Sequence, residues 1–169
     1  DIIESNFYYG CIADIQGDYT AAITYINKAI DQTQKNDDSI PPKFYALRGK
    51  IYEQYGHNTK ALTDFNTSLS ISKEHHNIAG EVIAESSIAK IHRKTKQYHD
   101  ALELHKKGYQ ISETTDLISN YTRNSIIMGL AETYLKIKQL DSALVYLDKG
   151  LKESVLTKDD EAESYFYTY

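Results

Sequence analysis

Apolar side chains recur every three or four residues in several stretches of the chain. Two of these series are Ile23, Ile26, Ile30 and Leu62, Phe65, Leu69. The spacing is typical of an amphipathic α-helix, because residues three and four positions apart lie on the same helix face. Only 2 prolines and 8 glycines occur among the 169 residues, so few turns are enforced. The pattern therefore predicts long helices rather than a many-stranded sheet.

The helical pattern repeats along the chain. Four alanines, each predicted to lie at the start of the second helix of a pair, align at spacings of 39, 40 and 42 residues: Ala22, Ala61, Ala101 and Ala143. Small residues lie twelve positions before them (Gly10, Gly49, Ala89, Ala131) and seven after them (Ala29, Ser68, Gly108, Gly150). Small residues on facing helices let two backbones approach closely, and such pairs bury their apolar faces by stacking. We therefore predict four stacked helix-turn-helix repeats.

The positions of proline and glycine residues agree with this repeat register. Pro41 and Pro42 lie where a first helix should begin, a position at which the missing N–H of proline does no harm. Gly17 and Gly56 fall at the predicted turn between the two helices of their repeats. Residues 158–169 restart the pattern and predict the first helix of a fifth repeat. An uncapped stack would expose apolar surface, so we expect the chain to be a fragment of a longer protein.

The aligned positions resemble those of the tetratricopeptide repeat (TPR) family over nearly the whole chain. The first two repeats carry the resemblance best, through Gly10, Gly17, Tyr19, Ala22, Ala29 and through Tyr45, Gly49, Tyr52, Gly56, Ala61, Phe65. The third departs most, with His92 and His105 in slots that are usually apolar or aromatic. The period also exceeds the family's usual 34 residues, and this longer repeat is similar to those of bacterial signalling regulators.

The resemblance implies an all-α fold. It would be a right-handed α-α superhelix, a TPR-like solenoid, with four helix-turn-helix repeats plus the first helix of a fifth. We expect a single domain over residues 1–169, with repeats at about 4–38, 41–77, 80–115 and 119–156 and a partial fifth at 158–169.

Composition narrows the function classes. Apolar residues make up 41% and charged residues 25%, as in a soluble globular protein. The net charge of −5 argues against nucleic acid as a ligand, because phosphate binding needs a basic field. We expect no membrane contact by this segment, since no apolar run approaches the length of a membrane span. The single Cys11 excludes an internal disulfide but does not distinguish a cytoplasmic from a periplasmic location.

The chain lacks the common catalytic signatures, including phosphate-binding glycine loops, zinc-binding HExxH and the nucleophile elbow. Adjacent His75 and His76 point about 100° apart on a helix, so they do not form the i, i+4 pair that a metal prefers. His92 and His105 are interpreted as a satisfied pair in the core of the third repeat. We therefore predict no enzymatic activity, no cofactor and no metal.

In the TPR family, the first helices of successive repeats line a concave groove that holds an extended peptide or a partner helix. Carrying those groove positions over by alignment gives a set of candidate partner-binding residues on the first helices. They are Lys43, Lys50, Glu53, Gln54, Ser86, Lys90, Arg93, Lys94, Met128, Glu132 and Lys136. The same alignment places Glu4, Phe7, Cys11, Asp14 and Ile15 on the groove side of the first repeat.

Charge is unevenly distributed along the chain. Residues 1–40 carry a net charge of −5, residues 41–112 carry +4 and residues 113–169 carry −4. Lys50, Lys90, Arg93 and Lys94 lie at groove positions of the basic central part. This arrangement favours a protein or peptide partner with an acidic group. A solvated basic face without a dedicated ligand is the alternative.

The resemblance implies a non-enzymatic scaffold that binds a protein or peptide. We interpret it as the interaction or sensory module of a larger bacterial signalling or transcriptional regulator. One alternative is a self-assembling structural solenoid, a homodimer through exposed solenoid ends that include Tyr165, Phe166, Tyr167 and Tyr169. Another is an adaptor or chaperone-like protein that holds a client peptide.

Overall fold

The computed structural model describes residues 1–36, 38–158 and 160–168, without the side chains of Asp160 and Glu161. These residues form nine α-helices and no strand, so the predicted all-helical class is confirmed. The helices are α1 (Ile2–Ile15), α2 (Tyr19–Lys35), α3 (Pro42–Gln54), α4 (Asn58–Glu74), α5 (Ile78–Lys94), α6 (Tyr98–Thr114), α7 (Asn120–Lys136), α8 (Leu140–Thr157) and α9 (Asp160–Tyr167). Asp159 and Tyr169, which belong to the predicted fifth repeat, lie outside the described residues.

Consecutive helices pack as hairpins, which confirms the predicted helix-turn-helix repeats. The chain divides into two compact units, of which unit 1 is Asp1–Ala84 and unit 2 begins at Glu85. In unit 1, α1 packs on α2 and α3 on α4, and α3 also contacts both α1 and α2. In unit 2, α7 packs on α6 and on α8, and α9 covers part of α8.

The small aligned residues allow the close helix contacts that the repeat register predicts. A methyl group added to Gly10 would lie 2.5 Å from the Ile26 Cδ1 atom, so any side chain at this position would displace Ile26. Gly49 receives the ring of Phe65 in the same way, with its Cε1 atom 2.7 Å from the position of such a methyl group. A small residue on the first helix therefore faces a large one on the second in both hairpins of unit 1.

The turn within each repeat uses one left-handed backbone position. Gly17 and Gly56 have φ angles of +75° and +76°, which confirms their predicted place in the turns. Lys96 and Lys138 occupy the same aligned position in the third and fourth repeats, with φ angles of +67° and +62°. Glycine adopts this conformation without strain, whereas lysine does not. The turn geometry is therefore shared by all four repeats although the residue type is not.

Helix starts follow from local side-chain chemistry. The carboxylate of Asp18 accepts a hydrogen bond of 3.0 Å from the Ala21 N–H, and the hydroxyl of Ser119 accepts one of 3.2 Å from the Thr122 N–H. Such caps satisfy N–H groups that have no partner within the helix. Helix α3 begins at Pro42, as the sequence predicts.

Candidate partner-binding face of the first helices

In unit 1 the structure brings together predicted groove positions of α1 and α3. The Lys50 Nζ atom lies 2.9 Å from the Asp14 Oδ2 atom, and the Asp14 carboxylate is almost fully buried. The Lys43 Nζ atom lies 3.7 Å from the Glu4 Oε1 atom, and both of these side chains are about half exposed. The two first helices therefore lie side by side, with their predicted groove residues on a common face.

The partly exposed ring of Phe7 lies on this face near the start of α3, and Phe44 beneath it is buried in the core. The Lys43 Nζ atom lies 4.8 Å from the centre of the Phe7 ring, which stacks on Phe44 at a centroid distance of 4.9 Å. A cation above an aromatic face is attracted by the ring quadrupole. This corner of unit 1 can therefore hold a ligand group that combines an apolar part with a negative charge.

Cys11 lies half-buried on the same helix face. Burial is the main cause that raises the pKa of its thiol, and the nearby Asp14 carboxylate raises it further. A raised pKa keeps the sulfur protonated at neutral pH, and only the thiolate is a strong nucleophile. Cys11 is therefore better described as a packing residue than as a nucleophile.

In unit 2 the first helices α5 and α7 are joined by an ion pair at the same aligned positions. The Arg93 Nη2 atom lies 2.5 Å from the Glu132 Oε2 atom, and both side chains are mostly buried. Arg93 aligns with Asp14, and Glu132 aligns with Lys50, so the polarity of the pair is reversed relative to unit 1. The repeated pair shows that neighbouring first helices present these positions in the same geometry within each unit.

The remaining predicted residues take different environments on their helices. Glu53 is buried, whereas Gln54 is exposed at the end of α3. Ser86 and Met128 are half-buried, and Lys90, Lys94 and Lys136 are exposed.

Lys90 and Lys94 are one helical turn apart on α5, so they lie on one side of that helix. Among the basic residues predicted for the groove centre, these two combine high exposure with a shared helix side.

Ion pairing changes the electrostatics that the sequence predicts. Lys50 and Arg93 each contact a carboxylate from the neighbouring first helix of the same unit. The positive charge that they offer to a partner is therefore partly neutralised. The segment charge of residues 41–112 indicates an excess of basic residues, but it does not reveal which carboxylate each of them faces.

His105 does not form the predicted pair with His92. His105 is 2% exposed, and neither ring nitrogen has a hydrogen-bond partner among the described residues. Its ring packs on Gly129, where an added methyl group would lie within 2.5 Å of Nε2, and His92 instead lies 2.8 Å from the Gln97 Oε1 atom in its own turn. Burial, together with the charge of Arg93, lowers the pKa of His105 to about 3. The ring therefore remains neutral and serves as a packing group.

Sequence reasoning did not find a polar junction on the other side of α3. The Arg48 guanidinium donates two hydrogen bonds of 2.8 Å to the Asp64 carboxylate and one of 2.6 Å to the Asn27 side chain. These bonds connect α3 with α4 and α2. A bidentate pair of this kind fixes the angle between helices and is the stronger form of ion pair. Its sequence separation gives no motif, so only the packing reveals it.

A tyrosine cluster in unit 2 was also not predicted. The rings of Tyr134 and Tyr146 stack at a centroid distance of 5.6 Å, and Tyr109 meets Tyr146 edge-on at 6.0 Å. The Lys149 Nζ atom donates a hydrogen bond of 3.1 Å to the Tyr109 hydroxyl. Desolvation is the main cause that raises the pKa of Tyr109 and of Tyr146. The cluster joins α6, α7 and α8 and contains three of the 15 tyrosines of the chain.

The described ranges 1–36, 38–158 and 160–168 contain neither a metal-binding cluster nor a membrane-spanning helix. No group of three or more histidine, cysteine, aspartate or glutamate side chains there is arranged to hold a metal ion. None of the helices in these ranges has the length and apolar content that crossing a membrane requires.

Comparison with known proteins identifies the repeat. Residues 3–36 and 42–75 each match the model of the tetratricopeptide repeat. The two matched segments coincide with the two hairpins of unit 1. No curated protein matches the sequence.

Solved structures share the fold at low sequence identity. Aspartyl phosphate phosphatase F from Bacillus subtilis matches 99% of this chain with 15% identity and a TM-score of 0.85, and the match covers 44% of that protein. A Rap protein complexed with competence and sporulation factor matches 98% with 18% identity and a TM-score of 0.85, and the match covers 47% of it. This chain therefore spans less than half of either protein.

A third structure shows the same architecture in a different kind of protein. A putative kinesin light chain from Podospora anserina with nearly identical TPR-like repeats matches 98% of this chain at 14% identity, with a TM-score of 0.72 and 85% of that protein covered. These identities show a common fold and nothing more specific. Two repeats of this chain therefore match the tetratricopeptide-repeat model, and its helical hairpins have the fold of these TPR-like structures.

Proposed function

We propose that the chain is a non-enzymatic scaffold that binds a protein or peptide on the exposed faces of its first helices. The tetratricopeptide fold is a protein-interaction scaffold, and it typically binds rather than catalyses. The observation that carries the proposal is the ion pair found at equivalent positions of neighbouring first helices, Asp14 with Lys50 and Arg93 with Glu132. These pairs hold two first helices side by side, so that their outward side chains form one surface in each unit.

The recognised group is an acidic side chain or a peptide carboxylate. Lys90 and Lys94 are exposed on one side of α5, and an ammonium group binds carboxylates through charge-assisted hydrogen bonds. Lys43 above Phe7 offers a second, partly apolar position in unit 1. Arg93 contributes less to binding than its sequence position indicates, since its side chain is mostly buried whereas Lys90 and Lys94 are exposed.

The test is a thermal-shift screen with acidic, basic and neutral peptide pools at low salt, followed by titration of the tightest binder. We expect the acidic pool to stabilise the protein, because a ligand that binds only the folded state raises its stability. The Lys90→Glu/Lys94→Glu variant should weaken that binding by about tenfold to a hundredfold, which corresponds to roughly 1.4–2.7 kcal/mol.

The matched control is Lys73→Glu, which reverses a charge at an exposed position on the second helix α4. It should leave the affinity close to that of the wild type. Arg93→Glu is unsuitable as the primary test, since it would place two carboxylates together and reduce folding stability. Equal weakening by the α4 control, or equal stabilisation by all pools, would contradict recognition of an acidic group by α5.

We further propose that this scaffold is the interaction or sensory module of a larger bacterial signalling or transcriptional regulator. The long repeat and the likeness to the Rap protein solved with competence and sporulation factor support this role. The direct test is to identify the genomic flanks of the coding segment. An output domain continuous with it, such as a kinase or DNA-binding domain, is expected, and a separate reading frame ending at this segment would contradict it.

Self-assembly and an adaptor role remain the alternative proposals. Tyr167 is exposed at the end of α9, whereas Phe166 is buried against Gly150 of α8. The burial of Phe166 removes it from the set of aromatic residues offered to a neighbouring copy. An adaptor would bind client peptides of varied sequence. In that case the acidic, basic and neutral peptide pools should all stabilise the protein to a similar extent.

A further inference from the structure

The turn regions of unit 2 contain lysines at two pairs of aligned positions. Lys94 and Lys136 lie in the last turns of α5 and α7, whereas Lys96 and Lys138 lie in the turns that lead from these helices to α6 and α8. All four lysines are exposed, and we refer to them as the basic turn edge. The aligned residues of unit 1 are all uncharged: Ile15, Gly17, Gln54 and Gly56. The basic turn edge is therefore a property of unit 2 and not of the repeat itself.

The backbone places Lys96 and Lys138 in the same way in their turns. The Lys96 N–H donates a hydrogen bond of 3.1 Å to the Arg93 carbonyl oxygen, and the Lys138 N–H donates one of 3.1 Å to the Leu135 carbonyl oxygen. The ion pair between Arg93 and Glu132 shows that α5 and α7 are neighbours. Because the axes of packed helices lie roughly 8–10 Å apart, the two pairs of lysines extend from unit 2 at about that separation.

These lysines contribute little to the packing of unit 2. Among the residues that the structure describes, the ammonium groups of Lys96, Lys136 and Lys138 have neither an ion-pair nor a hydrogen-bond partner, whereas Lys94 takes part in an interaction within the chain. The left-handed backbone of Lys96 and Lys138 also lowers stability relative to glycine, which unit 1 has at both aligned positions. Strained backbone occurs preferentially at functional positions. The two turn lysines therefore offer charge to a partner rather than stabilise the fold.

We infer that the basic turn edge binds an acidic polypeptide segment in which two carboxylates lie on the order of 10 Å apart, one for each pair of lysines. The inference rests on the proposed function, because it extends the recognition of acidic groups from α5 to both turns of unit 2. In a polyproline-II segment, residues three positions apart lie on one side of the chain at a distance of about 9 Å. An extended segment with two acidic residues separated by two others therefore fits the spacing of the lysine pairs.

The charges around the basic turn edge favour a short acidic segment over a nucleic acid or an anionic membrane. Asp100 and Asp141 lie in the first turns of α6 and α8, shortly after the turn lysines, and the whole chain has a net charge of −5. A long or planar array of phosphates would approach these carboxylates and be repelled by them. Two carboxylates on a peptide can contact the lysines alone.

The experiment measures the affinity of a labelled, end-capped peptide with the central sequence Glu-Pro-Pro-Glu by fluorescence anisotropy at low salt. Wild-type protein should bind this peptide and should bind the Gln-Pro-Pro-Gln peptide more weakly, because the glutamines lack the charge that lysine attracts. The Lys96→Gly/Lys138→Gly variant should bind the acidic peptide about fivefold to tenfold more weakly than the wild type. Glycine also relieves the backbone strain at both positions, so urea unfolding should show no loss of stability in this variant.

Lys158→Gly is the matched control. Lys158 is exposed and has a left-handed backbone with a φ angle of +55°, so the substitution removes the same charge and the same kind of strain. It lies after the C-terminal end of α8, whereas Lys138 precedes the N-terminal end of that helix. The affinity of this control for the acidic peptide should therefore equal that of the wild type.

Wild-type protein that does not prefer the acidic peptide, or a Lys96→Gly/Lys138→Gly variant with unchanged affinity, would overturn the inference. Equal weakening by Lys158→Gly, or tighter binding of polyuridylate or of phosphatidylglycerol vesicles than of the peptide, would overturn it as well. The Lys90→Glu/Lys94→Glu variant separates the two proposals. If it weakens binding of the acidic peptide while the two turn glycines leave binding unchanged, the proposed function stands and the basic turn edge is not its site.

Discussion

The turn in each repeat places one residue in the left-handed backbone region, and the chain fills that position in two ways. Glycine occupies it at Gly17 and Gly56, and lysine occupies it at Lys96 and Lys138. The left-handed conformation costs a residue with a Cβ atom about 1 kcal/mol or more relative to glycine. The third and fourth repeats therefore contain strain that the first two avoid.

Replacing Lys138 with glycine should stabilise the protein. The expected gain in the free energy of unfolding is about 1 kcal/mol, reduced somewhat by the greater entropy of glycine in the unfolded chain. Urea denaturation followed by circular dichroism measures this gain. Lys136→Gly is the control, because Lys136 lies in the last turn of α7 and glycine should destabilise it there. A destabilising effect of Lys138→Gly would contradict the strained turn.

His105 is the second residue with an energetic consequence. Its neutral ring is buried beside Gly129, and its pKa is lowered from 6.5 to about 3 by burial and by Arg93. In the unfolded chain the same side chain binds a proton below about pH 6.5. The stability linked to His105 is therefore complete above that pH and is lost progressively as the pH falls towards 3.

The His105→Leu variant should remove this pH dependence. Leucine has no ring nitrogens to desolvate, so the variant should be at least as stable as the wild type at pH 7.5. Below pH 6.5 the stability difference should grow in favour of the variant by about 1.4 kcal/mol per pH unit. Urea unfolding at pH 7.5, 6.0 and 5.0 measures the trend, and parallel curves for the two proteins would contradict a neutral buried histidine.

At the scale of elements, neighbouring first helices are joined by ion pairs of opposite polarity. Asp14 and Lys50 connect α1 with α3, and Arg93 and Glu132 connect α5 with α7. The helix geometry is compatible with either order of charges, since the aligned positions are the same. We therefore expect that the positive and the negative residue of such a pair can be exchanged without loss of the contact between the two first helices.

Exchanging the charges in unit 2 tests this interpretation. Arg93→Glu should lower the free energy of unfolding by about 1–3 kcal/mol, because it leaves two carboxylates together in a mostly buried site. The Arg93→Glu/Glu132→Arg double variant should recover at least half of that loss. Thermal and urea unfolding measure both values. Additive losses in the double variant would mean that the two positions do not interact.

The helical hairpins could be predicted from the sequence, but the contacts between hairpins could not. Spacings of 39, 40 and 42 residues, with small residues such as Gly10 and Gly49 at fixed offsets, predict which helices pair. The partner of a charged residue depends instead on the offset between neighbouring helices. Asp14 and Lys50 are 36 residues apart and belong to no local motif. For the same reason the packing of His105 against Gly129 was not predicted, and the Arg48–Asp64 pair within the α3–α4 hairpin likewise belongs to no sequence motif.

At the scale of the whole molecule, the charge of a segment is a poor guide to its binding surface. The central part of the sequence carries a net +4. Within each unit, however, some of its cations face carboxylates, as Lys50 and Arg93 do. The surface offered to a partner is therefore smaller and more specific than the segment charge indicates. On α5, Lys90 and Lys94 are exposed, and each of them also takes part in an interaction within the chain.

The central claim is that partners bind the first helices. Its most direct test is to titrate the tightest-binding acidic peptide into isotopically labelled protein and map the amide chemical-shift changes onto the chain. We predict that the largest changes fall in α1, α3, α5 and α7, with those around Lys90 and Lys94 lost in the Lys90→Glu/Lys94→Glu variant. Changes concentrated in α2, α4, α6 and α8, or no change with any peptide at low salt, would contradict the claim.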